Sequence, residues 1–107
     1  MCSSDLVVDL IGVADKVTRA REVTALGAVF VEMHAGLDEQ AEEGFSLDTL
    51  LTAGETAQVP FSLAGGVSTA TIAAVQRAGA SVAVAGGAIY GADDPAAAAA
   101  ELRAAIS

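Results

Sequence analysis

Four strand-helix units with parallel strands, (βα)4, are the α/β fold class this chain predicts, on three observations. Two apolar segments end in the same tripeptide, Ala64-Gly65-Gly66 and Ala85-Gly86-Gly87, with the glycine pairs 86 − 65 = 21 residues apart. Between them Ser68 to Gly79 reads as a short amphipathic helix, so strand, Gly-Gly turn and helix form a unit that occurs twice. The stretch Gly27-Ala28-Val29-Phe30-Val31-Glu32-Met33-His34 fits the frame of Gly79 to Gly86, which carries the repeat toward the amino terminus. Strands that alternate with helices in this way lie parallel in one sheet.

The elements follow in order. Residues 1–5 are expected to be a leader, either foreign to the native gene or disordered, and residues 6–107 to form the folded unit. Leu6-Val7-Val8-Asp9-Leu10-Ile11 has the run of a buried strand. With no strand predicted before it, its edge invites pairing. Asp15 is placed to cap a helix over 14–26, with Val17, Ala20 and Val23 toward the sheet, Lys16, Arg19 and Arg21 on the solvated face, and Gly27 as the stop. The second strand spans Ala28 to His34. Ala35 to Phe45 then reads as an irregular, mobile active-site loop, with a solvated acidic linker as the alternative for its acids Asp38, Glu39, Glu42 and Glu43, none of which has a metal partner at recognisable spacing. Ser46 can cap a helix with Leu47, Leu50 and Leu51 as its apolar stripe and an end near Gly54. A third strand, Val59 to Leu63, accommodates Pro60 at its start. The third helix is expected from Ser68 or Thr69 to Gly79, with Ile72 and Val75 inward, and the fourth strand from Val82 to Ala85. Asp94-Pro95 pairs an N-cap with proline in the first turn, opening an alanine-rich helix with Leu102 and Ile106 four apart.

Composition narrows the function. The chain has 107 residues, 53% hydrophobic and 18% charged, enough apolar material for one globular core. A formal charge of −9, a pI near 4.1 and only five scattered Lys and Arg argue against nucleic acid or an anionic membrane as partner. No apolar run approaches the roughly 18 residues of a membrane span, and the amino terminus lacks a basic segment followed by an apolar one, so a cytoplasmic location is expected. Cys2 is the only cysteine, which excludes an internal disulfide and gives no metal-binding spacing.

Each Gly-Gly pair follows a strand and precedes a helix, where free backbone amides suit an anion, above all phosphate. Either pair alone could be only a tight turn. Two pairs after adjacent strands favour phosphate, because barrel enzymes bind it beyond their last two strands. In so acidic a chain, backbone dipoles or a metal must hold that phosphate.

Four such units look like the second half of a TIM (β/α)8 barrel. The chain resembles the 3-hexulose-6-phosphate synthases of the orotidine 5′-monophosphate decarboxylase superfamily. The resemblance is carried by Val8-Asp9-Leu10-Ile11, by Val31-Glu32-Met33-His34-Ala35-Gly36 with Asp38 and Gln40, by Ala64-Gly65-Gly66, and by Ala85-Gly86-Gly87-Ala88-Ile89 with Asp93-Asp94-Pro95. These stretches cover nearly the whole chain after residue 5.

The resemblance implies that residues 6–107 are strands five to eight of such a barrel, and that the reaction is aldol condensation of formaldehyde with D-ribulose 5-phosphate. His34, at the end of the sixth strand, is implied in proton transfer, with Asp9, at the end of the fifth, as a catalytic or neighbouring polar group. Gly65, Gly66, Gly86 and Gly87 match the phosphate-gripping turns. Mg2+ is implied as cofactor. The superfamily's Asp-x-Lys-x-x-Asp motif is absent and Lys16 is the only lysine, so no metal ligand is assigned in this chain and the magnesium ligands are expected on the amino-terminal half. A homodimer is implied for the full-length form.

Within the same superfamily, 3-keto-L-gulonate-6-phosphate decarboxylase or an orotidine 5′-phosphate decarboxylase-type enzyme is the alternative. The stretch Ala35-Gly36-Leu37-Asp38-Glu39-Gln40 is closer to the synthases. An alternative of another class is a non-catalytic, phosphate-binding half-barrel. The chain alone is expected to be inactive and, with two open sheet edges, to self-associate.

Overall fold

A computed structural model describes residues 5–106; Met1 to Ser4 of the expected leader, including Cys2, lie outside the described residues. Four strands, β1 (Val7–Asp9), β2 (Phe30–His34), β3 (Phe61–Ala64) and β4 (Val82–Val84), form one sheet in the order β1-β2-β3-β4, every neighbouring pair parallel. Helices α1 (Lys16–Ala25), α2 (Leu37–Gln40), α3 (Leu47–Ala57), α4 (Ile72–Arg77), α5 (Gly87–Tyr90) and α6 (Pro95–Ala104) occupy the connections and the end. The expected (βα)4 arrangement is the observed one. Among the described residues no helix is long and apolar enough to cross a membrane.

Strand periodicity sorts the side chains. Val31 and Met33 of β2 are fully buried under the helices, whereas Phe30, Glu32 and His34 point to the other face. The helix-side core joins Leu10, Val31, Met33 and Leu63 to Ala20 of α1, Leu50 and Leu51 of α3, Ile72 and Val75 of α4 and Leu102 of α6. Each of the larger side chains among them, Leu, Ile, Val or Met, contributes about 1.5–3 kcal/mol on leaving water. On the opposite face Val7, Val82 and Val84 are 40–44% exposed. The radius of gyration, 14.2 Å, exceeds the roughly 13 Å of a compact chain this long, and the shortest extent is 22 Å. The opposite face is only partly covered, and on it the exposed Val7, Val82 and Val84 lie to either side of the polar Asp9, Glu32 and His34.

Three helices begin where their caps were expected. The side chains of Asp15, Ser46 and Asp94 accept from the amides of Thr18 (3.1 Å), Thr49 (3.4 Å) and Ala97 (3.1 Å). Each bond satisfies an amide that the first turn leaves without a partner.

Other expectations are corrected. The first strand is shorter than 6–11, because Gly12 (φ +76°) turns the chain out of the sheet. Helix α3 runs past Gly54 to Ala57 and ends at Gln58 in a left-handed conformation; Gly54 faces the ring of Phe61, which any Cβ there would strike. The segment after His34 is not wholly irregular, since it contains α2. Helix α4 starts only at Ile72, because Ser68 to Thr71 form a turn in which the Ser68 amide donates to Thr71 Oγ1 (2.9 Å) and that hydroxyl donates to the Gly66 carbonyl (2.8 Å). Gly87 opens the additional short helix α5. Lys16 is not solvated: its side chain is 8% exposed and paired with Glu39.

Candidate active site

Parallel strands deliver their carboxyl ends to one edge, and the residues singled out from the sequence collect there. Asp9 ends β1, His34 ends β2, Gly65 and Gly66 follow β3 directly, and Gly86 and Gly87 follow β4. The register places Asp9, Glu32, Ser62 and Val82 in one row across the sheet and His34, Ala64 and Val84 in the next, two residues closer to that edge. His34 is thus level with Val84, not with Gly86 as the sequence frame suggests.

Asp9 and His34 meet. The imidazole Nδ1 lies 3.1 Å from both Asp9 oxygens and 3.4 Å from Oε2 of Glu32. Facing carboxylates on two sides, Nδ1 must carry a hydrogen, which leaves Nε2 as the basic nitrogen of the neutral ring. Nε2 has no hydrogen-bond partner among the described residues. Asp9 is itself held, its Oδ1 accepting from the Ile11 amide at 2.9 Å. Burial pushes the Asp9 carboxyl up, but the bonds from His34 and the Ile11 amide outweigh it and hold the group below its usual range. Glu32 goes the other way. Its burial, the neighbouring Asp9 charge and a hydrogen bond shared with Asp9 raise it, and His34 and Ser62 only partly offset them.

Glu32 was missed in the sequence, although it stands two residues before His34 and therefore on the same face of the strand. Its Oε1 accepts from the Ser62 hydroxyl of β3 at 3.5 Å. Asp9, Glu32 and His34 offer three ligand atoms within 4.8 Å of one another, close enough to hold one divalent ion. The set does not fit magnesium well. That ion favours oxygen ligands in near-ideal octahedral geometry, whereas here an imidazole N–H occupies the space between the two carboxylates.

The glycine turns have the backbone that phosphate binding requires. Gly65 (φ +99°) and Gly66 (φ +90°) lie in the left-handed region. A Cβ on Gly65 would fall on the carbonyl oxygen of Ala35, so this turn packs against the residue after His34. None of the amides of Gly65, Gly66, Gly86 or Gly87 donates to another described residue. A sulfate-sized anion would find unused donors in both turns.

No protein-family model matches the chain. It is 76% identical over 102 residues to the 3-hexulose-6-phosphate synthase of Mycobacterium gastri, covering 95% of this chain and 49% of that protein. The same enzyme of Methylomonas aminofaciens is 51% identical over 96 residues, covering 89% and 46%. This chain is a relative of the 3-hexulose-6-phosphate synthases. A crystal structure of 3-hexulose-6-phosphate synthase superposes with a TM-score of 0.93 at 75% identity, over 97% of this chain and 50% of that one. The Salmonella typhimurium 3-hexulose-6-phosphate synthase gives 0.81 at 32% identity, over 95% and 49%. The synthase-like chain spans about half the length of the curated relatives it matches, and its four strands correspond to half of their barrel.

Proposed function

We propose that this half-barrel carries the proton-transfer and phosphate-binding side of a 3-hexulose-6-phosphate synthase site, which condenses formaldehyde with D-ribulose 5-phosphate. The observation that carries the reading is the His34 imidazole, its Nδ1 hydrogen taken by Asp9 and its Nε2 bare, at the carboxyl edge of a parallel sheet. An imidazole so held presents Nε2 as a general base. Nε2 removes the proton from the carbon beside the substrate ketone. The resulting enediolate carbon forms the new bond to the formaldehyde carbon, and the formaldehyde oxygen takes up a proton to become the terminal hydroxyl. The Asp9 carboxylate stabilises the imidazolium formed in the first step. The free amides of Gly65, Gly66, Gly86 and Gly87 hold the phosphate far from the reacting carbon and orient the sugar.

Magnesium remains the cofactor that the family resemblance implies, with its ligands expected on the complementary half of the barrel. Chemistry on that half completes the site, so the chain alone is expected to turn over no substrate. The assembled barrel is read as a cytoplasmic homodimer without nucleic-acid or membrane partners.

The test is an aldolase assay with ribulose 5-phosphate, formaldehyde and magnesium, on this chain alone and mixed with the separately expressed first half of a related barrel. Activity only after mixing supports the proposal. Activity of the mixture toward 3-keto-L-gulonate 6-phosphate in its place assigns decarboxylation. Phosphate binding without turnover assigns the non-catalytic half-barrel, to which the partly uncovered sheet face lends its own support.

A further inference from the structure

Two loops leave the carboxyl edge beside the Asp9-His34 pair, and one side chain joins them. Glu39 of α2 accepts from the Gly12 amide through Oε1 (2.6 Å) and from Lys16 Nζ through Oε2 (3.0 Å). Lys16 Nζ also donates to the Val13 carbonyl at 2.7 Å. A lysine so nearly excluded from water has to spend its ammonium inside the joint, since an unpaired buried charge is costly. The other end of the loop is fixed as well. Gln40 Nε2 donates to the carbonyl of Ala35, the residue after His34, at 2.8 Å. The partners are 27 and 23 residues apart, so no local helical regularity accounts for the joint.

The contacts form a chain of support that ends on the imidazole. Glu39 holds the Gly12 amide, the adjacent Ile11 amide holds Asp9, and Asp9 holds His34 Nδ1. Ile11 strengthens the link, because its Cδ1 lies 3.1 Å from where a Cβ on Gly36 would sit, packing the two loops against each other.

We propose that Glu39 is a positioning residue for His34: by giving the Gly12 amide its acceptor, it fixes the loop that orients Asp9 and, through Asp9, the imidazole, with Lys16 holding Glu39 in place. The inference rests on the reading of His34 as the proton-transfer group. Burial pushes the Glu39 carboxyl up, but the bonds from Lys16 and Gly12 overcome it and draw the group below its usual range, as an acceptor in constant use requires.

Charge and acceptor can be separated by substitution. Glu39→Gln keeps an acceptor oxygen for Gly12 and loses the ion pair. The exchange Lys16→Glu with Glu39→Lys keeps an ion pair and removes the acceptor from position 39, while Glu39→Ala removes both. His34 is the only histidine, so its ring resonances report on the imidazole without any turnover.

The experiment compares the His34 Cε1–H signal and the amide exchange of Ile11 and Gly12 in these variants, with far-UV circular dichroism as the check on folding and Asp9→Asn as the reference for a released imidazole. In the charge exchange and in Glu39→Ala, Ile11 and Gly12 should exchange at least about tenfold faster and the His34 signal should move toward that of Asp9→Asn. Glu39→Gln, which keeps an acceptor for Gly12 but leaves the Lys16 ammonium without its carboxylate, should fall between the wild type and Glu39→Ala on both readouts. A charge exchange that restores the wild-type signal would reduce the joint to an ion pair serving stability, and an unmoved His34 signal in Glu39→Ala would overturn the proposal. Should Glu39→Ala fail to fold, the contrast between Glu39→Gln and the charge exchange decides alone.

Turnover of the complemented barrel separates the two readings. If His34→Gln leaves turnover intact, the assignment of His34 as base fails, while the ring signal still decides whether Glu39 positions it.

Discussion

Replacing Gly65 and Gly66 one at a time by alanine tests the phosphate turn at its most constrained point. Both glycines have positive φ, which costs an L-residue about 1–2 kcal/mol. The positions differ in what a Cβ would meet. At Gly66 the nearest atom is Leu47 Cδ1 at 4.0 Å, an ordinary contact with a flexible side chain. At Gly65 the Cβ would fall on the Ala35 carbonyl oxygen and lie 3.2 Å from the Ala35 nitrogen, backbone that cannot move without displacing the end of β2. Overpacking of this kind adds about 1–3 kcal/mol. Gly66→Ala should therefore lose about 1–2 kcal/mol and Gly65→Ala about 2–5 kcal/mol. Urea unfolding followed by circular dichroism reads the difference, since each kcal/mol moves the midpoint by about 0.3–1 M. The damage in Gly65→Ala should also reach His34, whose neighbour Ala35 is displaced, whereas Gly66→Ala should leave the His34 ring signal in place. Equal losses for the two variants, or a larger loss for Gly66→Ala, would refute the close approach of the third turn to the second strand.

Further outcomes follow from the same geometry. His34→Gln should lower turnover of the complemented barrel about 10²–10⁴-fold, and Asp9→Asn should lower it less while leaving phosphate affinity unchanged, as read by steady-state kinetics and phosphate titration. The acids of the site oppose one another in pH dependence. Asp9 and Glu39, held below their usual 3.8 and 4.5, contribute stability that is present above those values and lost as pH falls through their folded pKa. Glu32, raised above 4.5, contributes stability present below that value and lost as pH rises through its folded pKa, so Glu32→Gln should gain on the wild type in urea melts as pH rises above 4.5. Leu63→Ala, which empties a fully buried position of the central strand, should cost about 2–5 kcal/mol. The chain alone should self-associate through its partly uncovered face, and Val82→Lys with Val84→Lys should shift it toward monomer in light scattering, against which a monodisperse wild-type monomer would tell.

The sequence was most informative where a local rule applies. Asp15, Ser46 and Asp94 each supply the oxygen that the first turn of a helix lacks, and each caps where expected. Apolar runs mark the four strands, of which Val31, Met33, Phe61 and Leu63 are buried under the helices while Val7, Val82 and Val84 stay exposed on the other face, and the parallel order follows from the helical crossovers. Less was legible where distant residues decide. Gly54 looks like a helix stop, but it is small because Phe61 fills the space beside it. Lys16 has the spacing of a surface residue, and only the fold brings Glu39 to it. Of the candidate site, Asp9 and His34 do meet, as two ends of adjacent parallel strands must. Glu32 could have been found by counting back two residues from His34, but an acid facing an acid across strands is destabilising on its own, and only the imidazole between them makes the placement intelligible.

The distribution of charge bears on how so acidic a chain could hold a phosphate. Between Glu55 and Asp93 there is no Asp or Glu, and that interval contains β3, β4 and both Gly-Gly turns. The net charge of −9 is therefore concentrated on the β1 and β2 side and on the flanks of the last helix, leaving the phosphate turns in the one neutral-to-basic stretch of the chain, with Arg77 as its only charged side chain. At physiological ionic strength an exposed charge is screened within about 8 Å, so a phosphate at those turns experiences mainly the local amides. The proton-abstracting side has the opposite need, because imidazolium formed at His34 is stabilised by Asp9 and Glu32. Introducing an acid into the neutral stretch, as Ser68→Asp beside the Gly65-Gly66 turn, should weaken phosphate binding with a loss that shrinks as salt is added. Asp93→Glu, which keeps the charge where it already is, should change neither phosphate affinity nor its salt dependence in a titration. A Ser68→Asp variant that bound phosphate as well as the wild type at low salt would remove the turns from the phosphate site.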